Sequence, residues 1–319
     1  MKRMNLLLGL GFGLLAWASI ALGHAAPVGQ GAQGPLLLRL HMHVNDVHNM
    51  RMTANQQITQ TINGQEIKLN QTIGMGFRFN VLNVTPDGAA SMKITYRSVR
   101  FRMEGPQGVM EYDSEHPPAT LPPGMQGFAA MVGQSFTMLI TPEGRVLEVK
   151  GMDALVQRVL DKSGVPEGPA RASMEKMLKQ TFGEEGFKEM MGQMVGIYPS
   201  QPVNIGDTWM QHVALTRGFP LVMDTQYKLT GRSQGLAQVA VQSAIKSNPQ
   251  AEPLEFGPVK VKLDLSGEQN GTMEIAEATG WMRRGTLHQK LSGTMNGAQE
   301  GTTISGQMAL EGTTTITSD

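Results

Sequence analysis

Gly231-Arg-Ser233-Gln-Gly235 has the spacing of a nucleophile elbow. That motif places a serine hydroxyl on a sharp strand-to-helix turn, where it meets oxyanion donors. Here both flanks, Gln226 to Thr230 and Ala237 to Ile245, read as strands, so the stretch is expected to be a glycine-rich hairpin turn. His41, His43 and His48, with Asp46, Met42, Met50 and Met52, form the densest set of metal-ligating types. Imidazole beside thioether would suit Cu(I). On a strand, however, His41 and His43 face away from Met42, which separates the two kinds of ligand. No metal site is expected.

The carboxylates offer no acid–base pair. Glu184 and Glu185 stand where they would open a helix and offset its dipole. Glu111, Asp113 and Glu115 alternate onto one wet strand face. Asp207, beside Trp209, reads as a turn aspartate bonded to its own backbone. Zincin helix, phosphate loop and dinucleotide fingerprint are all missing from the sequence. Catalytic residues and cofactors are therefore expected to be none, and the chain reads as non-enzymatic.

What remains is methionine, with 24 in the chain. Phe187, Met190, Met191, Met194 and Val195 fall at i, i+3, i+4, i+7 and i+8, one face of a helix. Unbranched, polarisable side chains of this kind adapt to irregular apolar partners. Together with Phe128 and Met131 of a shorter apolar helix, Phe187, Met190, Met191 and Met194 are the residues read as lining a ligand pocket. The plainer alternative is ordinary core with Met as filler.

The elements that would position this stripe follow from the pattern. Leu36 to Val44 alternates and is expected to be a half-buried strand, with Leu36, Leu38, Leu40, Met42 and Val44 inward. Met75, Phe77, Phe79 and Val81, then Met92, Ile94 and Tyr96, mark two further strands, with turns at Asn63-Gly64, Thr85-Pro86-Asp87-Gly88 and Gly105-Pro106-Gln107-Gly108. A Pro-rich passage at Pro117, Pro118, Pro122 and Pro123 ends this β half. A short helix around Gln126 to Gly133 and two brief strands, Phe136 to Ile140 and Arg145 to Val149, come next. Three helices follow, punctuated by Gly164, Pro166, Pro169, Gly183, Gly196 and Pro199. Five long strands are expected at Val222 to Leu229, Leu236 to Ile245, Pro258 to Ala276, Trp281 to Met295 and Thr302 to Thr317.

Composition narrows the function classes. Formal net charge is zero and charged residues are 17%, without the basic stripe of a nucleic-acid binder. Lys2 and Arg3, an apolar run from Met4 to Leu22, and small residues at Gly23 and Ala25 have the anatomy of a secretory signal peptide over residues 1–25. Residues 26–35 read as a disordered Gly/Gln/Pro linker. Cysteine is absent from the chain, so packing and sheet hydrogen bonds must hold the fold. These features point to the periplasm, with the cell exterior second, and to a mature protein with no integral membrane segment.

Pro202-Val203-x-x-Gly206-Asp207-x-Trp209, preceded by a Thr-Pro-Glu-Gly turn and a helical segment, resembles a signature of an uncharacterised exported bacterial family. More loosely, a curved sheet with helices over its concave face looks like the LolA/LppX-type lipid carriers, an analogy of architecture that implies an acyl-chain ligand. We read the chain as α+β and mostly β. A single domain over 36–319 has an N-terminal β half (36–116), a helical insert (117–199) on the concave face of a large curved antiparallel sheet, and a C-terminal β half (200–319). Its expected partner is a hydrophobic ligand, lipid or acyl chain, in the cell envelope. The alternative is a scaffold that binds an envelope protein and no small ligand.

Overall fold

The computed structural model describes residues 34–62, 64–122, 124–216, 220–251, 253–256, 259–299 and 302–319. The expected signal peptide and most of the expected linker lie outside the described residues. The strands are β1 (Val47–Ile62), β2 (Gln65–Val84), β3 (Ala90–Gly105), β4 (Gly108–Asp113), β5 (Ser135–Ile140), β6 (Val146–Lys150), β7 (Thr208–Ala214), β8 (Leu221–Ser233), β9 (Leu236–Ser247), β10 (Leu254–Phe256), β11 (Val259–Ala276), β12 (Met282–Gln299) and β13 (Thr302–Ser318). The helices are α1 (Gln126–Met131), α2 (Met152–Lys162), α3 (Pro169–Phe182) and α4 (Glu184–Val195).

All the strands pair antiparallel in one sheet of order β6-β5-β3-β2-β1-β13-β12-β11-β9-β8-β7, with β4 added to β3 and β10 to β11. The two β halves meet where β1 pairs β13 from Met50↔Ser318 to Ile62↔Gly306. The sheet curves, and the fold is mostly β with the helical insert on its concave face, as the pattern implies. Strand parity explains which face is buried, since successive side chains point to opposite sides. Ala54, Ile58 and Ile62 of β1 are inward, as are Leu287, Leu291 and Met295 of β12. On β3 the parity changes between Tyr96 and Val99, because a bulge sets Gly76 opposite Ser98 and Phe77 opposite Tyr96.

Glycine and proline set the helix ends. Pro169 occupies the first turn of α3, where a missing N–H costs nothing. Glu184 and Glu185 lie in the first turn of α4. The N-termini of α2 and α4 hold each other: Gly151 N–H donates to Glu184 Oε1 at 2.7 Å, and Glu184 N–H donates to Asp153 Oδ1 at 3.2 Å. The insert is fixed to the sheet through α4 against β6 and α1 against β3, and α3 reaches β10. The two Thr-Pro-Asp/Glu-Gly turns adopt the same hydrogen-bond pattern, with Gly88 and Gly144 both at positive φ. Gly144 also sits under the end of α4, where a Cβ would stand 1.8 Å from the Val195 carbonyl.

One expected strand is corrected. Residues 36–44 do bury Leu38, Leu40 and Met42, but they form a strap instead of a ladder strand. Leu36 bridges Val203, Leu40 N–H donates to the Pro142 carbonyl, and His41 N–H donates to the Thr279 carbonyl. Three different elements supply the partners, so no strand pairing develops. Val44, expected inward, is 49% exposed. The strap and the 196–206 connection lie together over one end of the sheet, with Arg39 donating to the Pro199 and Ser200 carbonyls and Tyr198 donating to the Gly280 carbonyl at 2.8 Å.

Candidate functional site

The motifs weighed for chemistry resolve into structure. Ser233 ends β8 and pairs with Leu236 across a tight turn at Gln234 and Gly235, both at positive φ. His41 and His43 lie on the exposed side of the strap, whereas Met42 is buried. His48 stacks on Trp281 with ring centroids 4.3 Å apart, and burial lowers its pKa. Asp207 Oδ2 accepts the Asn204 N–H at 2.8 Å. Trp209 stacks on Tyr227 and donates Nε1–H to the Ile197 carbonyl at 2.9 Å. The Pro202–Trp209 stretch is thus a clamp between the connection from α4 and the edge of the sheet.

The residues read as pocket lining are brought together. Phe128, Met131, Phe187, Met190 and Met191 all belong to, or pack against, one core cluster over β2, β3, β5 and β6. Phe187 meets Phe136 edge-on at 4.9 Å, and Phe128 stacks on Phe101 at 4.7 Å. The side chain of Met194 lies outside the described residues. A second cluster gathers Leu38, Met52, Tyr227, Leu229, Val239, Met273 and Ile316 beneath the strap.

A third cluster occupies the opposite end of the concave face. Among the described residues it consists of sheet side chains alone: Ile58, Ile62, Leu69, Leu221, Met223, Ile245, Val261, Leu263, Leu265, Leu291, Met295, Met308 and Leu310. It is separated from the other two by a polar row. Cross-strand register aligns Gln71 with Gln56, Gln56 with Gly312, Gly312 with Gln289, and Gln289 with Gln269. Gln269 then aligns with Ser243, Ser243 with Thr225, and Thr225 with Gln211. The row crosses eight neighbouring strands on the buried face.

Two residues toward the strap, about 7 Å along each strand, the next inward row is Ile73, Ala54, Thr314, Leu287, Gly271, Val241 and Tyr227. Two residues the other way it is Leu69, Ile58, Leu310, Leu291, Gly267, Ile245 and Met223. A polar layer one side chain deep therefore lies between two apolar layers. Part of it is satisfied internally, by a Thr225–Ser243 hydroxyl pair at 2.8 Å and by Tyr227 donating to Gln211 Oε1 at 2.9 Å. The carbonyl oxygens of Gln56, Gln71 and Gln269 are buried with no protein donor, and the amide nitrogen of Gln60, two layers on beyond Ile58, is buried with no acceptor.

The outer face also has a depression, of about 630 Å³, over Asn55, Asn70, Thr72, Asn270, His288 and Glu311. Its polar groups largely partner one another: Thr72 donates to Asn55 at 2.9 Å, His288 Nδ1 meets Thr313 at 2.7 Å, and Lys290 pairs with Glu311 at 2.6 Å. The orphaned amide groups of the strand glutamines are inside. The sequence holds a faint signal of them, since Gln56, Gln60, Gln71 and Gln269 each interrupt an inward apolar series.

Residues 87–282, more than half of the chain, match the model of a family of unknown function, DUF6263. The chain belongs to the DUF6263 family. The Pro202–Trp209 clamp, the helical insert and β3 to β11 fall inside the DUF6263 span, whereas β1, β2, β13 and nearly all of β12 fall outside it. No curated protein matches the sequence. Among solved structures, lipovitellin, described for its lipid–protein interactions, is similar over 87% of this chain at 9% identity and a TM-score of 0.44. The chain spans about a quarter (25%) of the lipovitellin chain. OpdQ of Pseudomonas aeruginosa is similar at 7% identity and a TM-score of 0.20, with 85% of this chain and 99% of OpdQ covered. A DUF1329 family protein from Desulfovibrio piger follows at 8% identity and a TM-score of 0.13, covering 82% and 83% of the two chains. Among the described residues, no helix is long and apolar enough to cross a membrane.

Proposed function

We propose that this protein is an exported, non-catalytic binding protein of the cell envelope that holds a hydrophobic ligand, a lipid or acyl chain, in the concave face of its sheet. The observation that carries the reading is the third apolar cluster, which lies at the end of the sheet away from the strap and is built from strand side chains alone among the described residues. A helix-capped core needs no such separate layer. In this reading the Met-rich insert is the lid. Phe128, Met131, Phe187, Met190 and Met191 form its apolar underside, which packs on the first cluster on the strap side of the polar row, and by sequence spacing Met194 falls on the same stripe. Burial of ligand surface would contribute about 25 cal/mol per Å² covered.

Native mass spectrometry of protein purified from its own envelope tests this. A mass increment that disappears on organic extraction, and uptake of N-phenyl-1-naphthylamine by the extracted protein, are expected. A single apo mass together with no probe uptake would sink the proposal.

A further inference from the structure

We infer that the inward amide row of Gln56, Gln71, Gln269 and Gln289 is the head-group subsite for a neutral, hydroxyl-bearing amphiphile of the monoacylglycerol kind. The inference rests on the hydrophobic-ligand reading above and adds the chemical class of the ligand to it.

Three features of the row select this class. First, Gln56, Gln71 and Gln269 are at most 6% exposed, and each carries a carbonyl oxygen that no protein group serves. A buried polar atom without a partner costs about 1–3 kcal/mol. Orphans on three strands therefore mark a place where polar groups of another molecule are received. Second, the row is neutral, and so are the inward rows on either side of it, from Ile73 to Tyr227 and from Leu69 to Met223. A carboxylate or phosphate placed there would be desolvated without a counter-charge, at large cost. Hydroxyl groups both donate and accept, so they satisfy a glutamine amide whichever way its oxygen and nitrogen are turned. Gln60, whose nitrogen lacks an acceptor, lies two layers on, beyond Ile58.

Third, the apolar layers differ in what packs on them, since the third cluster is built, among the described residues, from strand side chains alone. The layer on one side of the row runs under the strap, where Leu38 is fully buried. On the other side the inward face continues from Gln56 to Ile62 and from Gln289 to Met295. Six residues of strand are about 20 Å, a length suited to a long acyl chain. The head would lie against the amides and the tail along Ile58, Leu291, Leu310 and Met295.

The test is displacement of N-phenyl-1-naphthylamine from extracted full-length protein by 1-monooleoylglycerol, by oleate at pH 8, and by octadecene. The expected order is monooleoylglycerol first, at about tenfold lower concentration than either competitor, equivalent to about 1.4 kcal/mol. In Gln56→Leu and Gln269→Leu variants, each confirmed by a cooperative melt, that preference should fall to within about twofold while the probe still binds. Equal displacement by all three lipids in the wild-type protein overturns the inference and leaves the hydrophobic-ligand reading standing. The same holds if the preference survives in a folded variant. Lack of probe uptake overturns both. The wild-type comparison needs no variant, so a variant that fails to fold cannot shelter the inference.

Discussion

Replacing Gln269 by Leu should make the ligand-free protein more stable. Gln269 is 5% exposed on the inward face of β11, and its carbonyl oxygen has no protein donor. Its register neighbours are Gln289 and Ser243, and the inward residues two positions along β11 are Gly267 and Gly271, so a Leu of similar volume meets little resistance. Removing an orphaned polar atom recovers about 1–3 kcal/mol, and losing one hydrogen bond from the amide nitrogen would cost about 1 kcal/mol. The net gain is about 0–2 kcal/mol, or a Tm rise of about 2–4 °C per kcal/mol for chains of around this size. Guanidinium unfolding of extracted protein, followed by circular dichroism with wild type and variant side by side, reads it directly. A loss of 1 kcal/mol or more would refute the reasoning, because it would show that the amide makes net favourable contacts inside the protein. Stability gained here at the expense of ligand selectivity is the trade-off expected where a strained polar site serves binding.

Other outcomes follow from particular contacts. Gly144→Ala should cost about 2–4 kcal/mol: a left-handed backbone alone costs about 1–2 kcal/mol, and the new Cβ drives into the Val195 carbonyl at the end of α4. Gly108→Ala has the same backbone problem in open space and should cost only the backbone's about 1–2 kcal/mol, so the difference between the two melts isolates the contact with α4. Glu277→Ala should cost about 3–5 kcal/mol, measured by chemical denaturation, because Arg232, 8% exposed, keeps its charge but loses hydrogen bonds of 2.9 and 2.7 Å. His48 predicts a pH dependence. Its pKa is lowered mainly by burial against Trp281, so the folded state binds fewer protons than the unfolded one. Its contribution is complete above the ordinary histidine value of 6.5 and is lost as pH falls through the depressed folded value. Tm of the wild type should drop on that descent more steeply than Tm of His48→Phe, and parallel curves would contradict the assignment.

The helices were legible because glycine and proline punctuate them: Pro169, Gly183 and Gly196 stand at their boundaries, and the apolar stripes between have helical spacing. The long C-terminal strands were legible from alternation. Alternation records which side is buried and says nothing about pairing, and that is why Leu36 to Val44 reads as a strand but folds as a strap. β7 was missed for a related reason, since its inward series is Trp209, Gln211 and Val213 and the central glutamine breaks the apolar signal. The same rule hid the amide row. One glutamine per strand looks like a weak position in each strand taken alone. Only the register, which aligns Gln71, Gln56, Gln289 and Gln269 across strands distant in sequence, turns those separate interruptions into one layer.

The central claim is that the concave face holds an acyl chain along the third apolar cluster. The most direct measurement is photo-cross-linking of extracted protein with a diazirine-bearing fatty-alkyl probe, followed by peptide mapping. The account predicts adducts on inward residues of the central strands, among them Ile58, Leu69, Leu291, Met295 and Met308. Adducts confined to outward positions such as the exposed Met210, or none above an unfolded control, would contradict it.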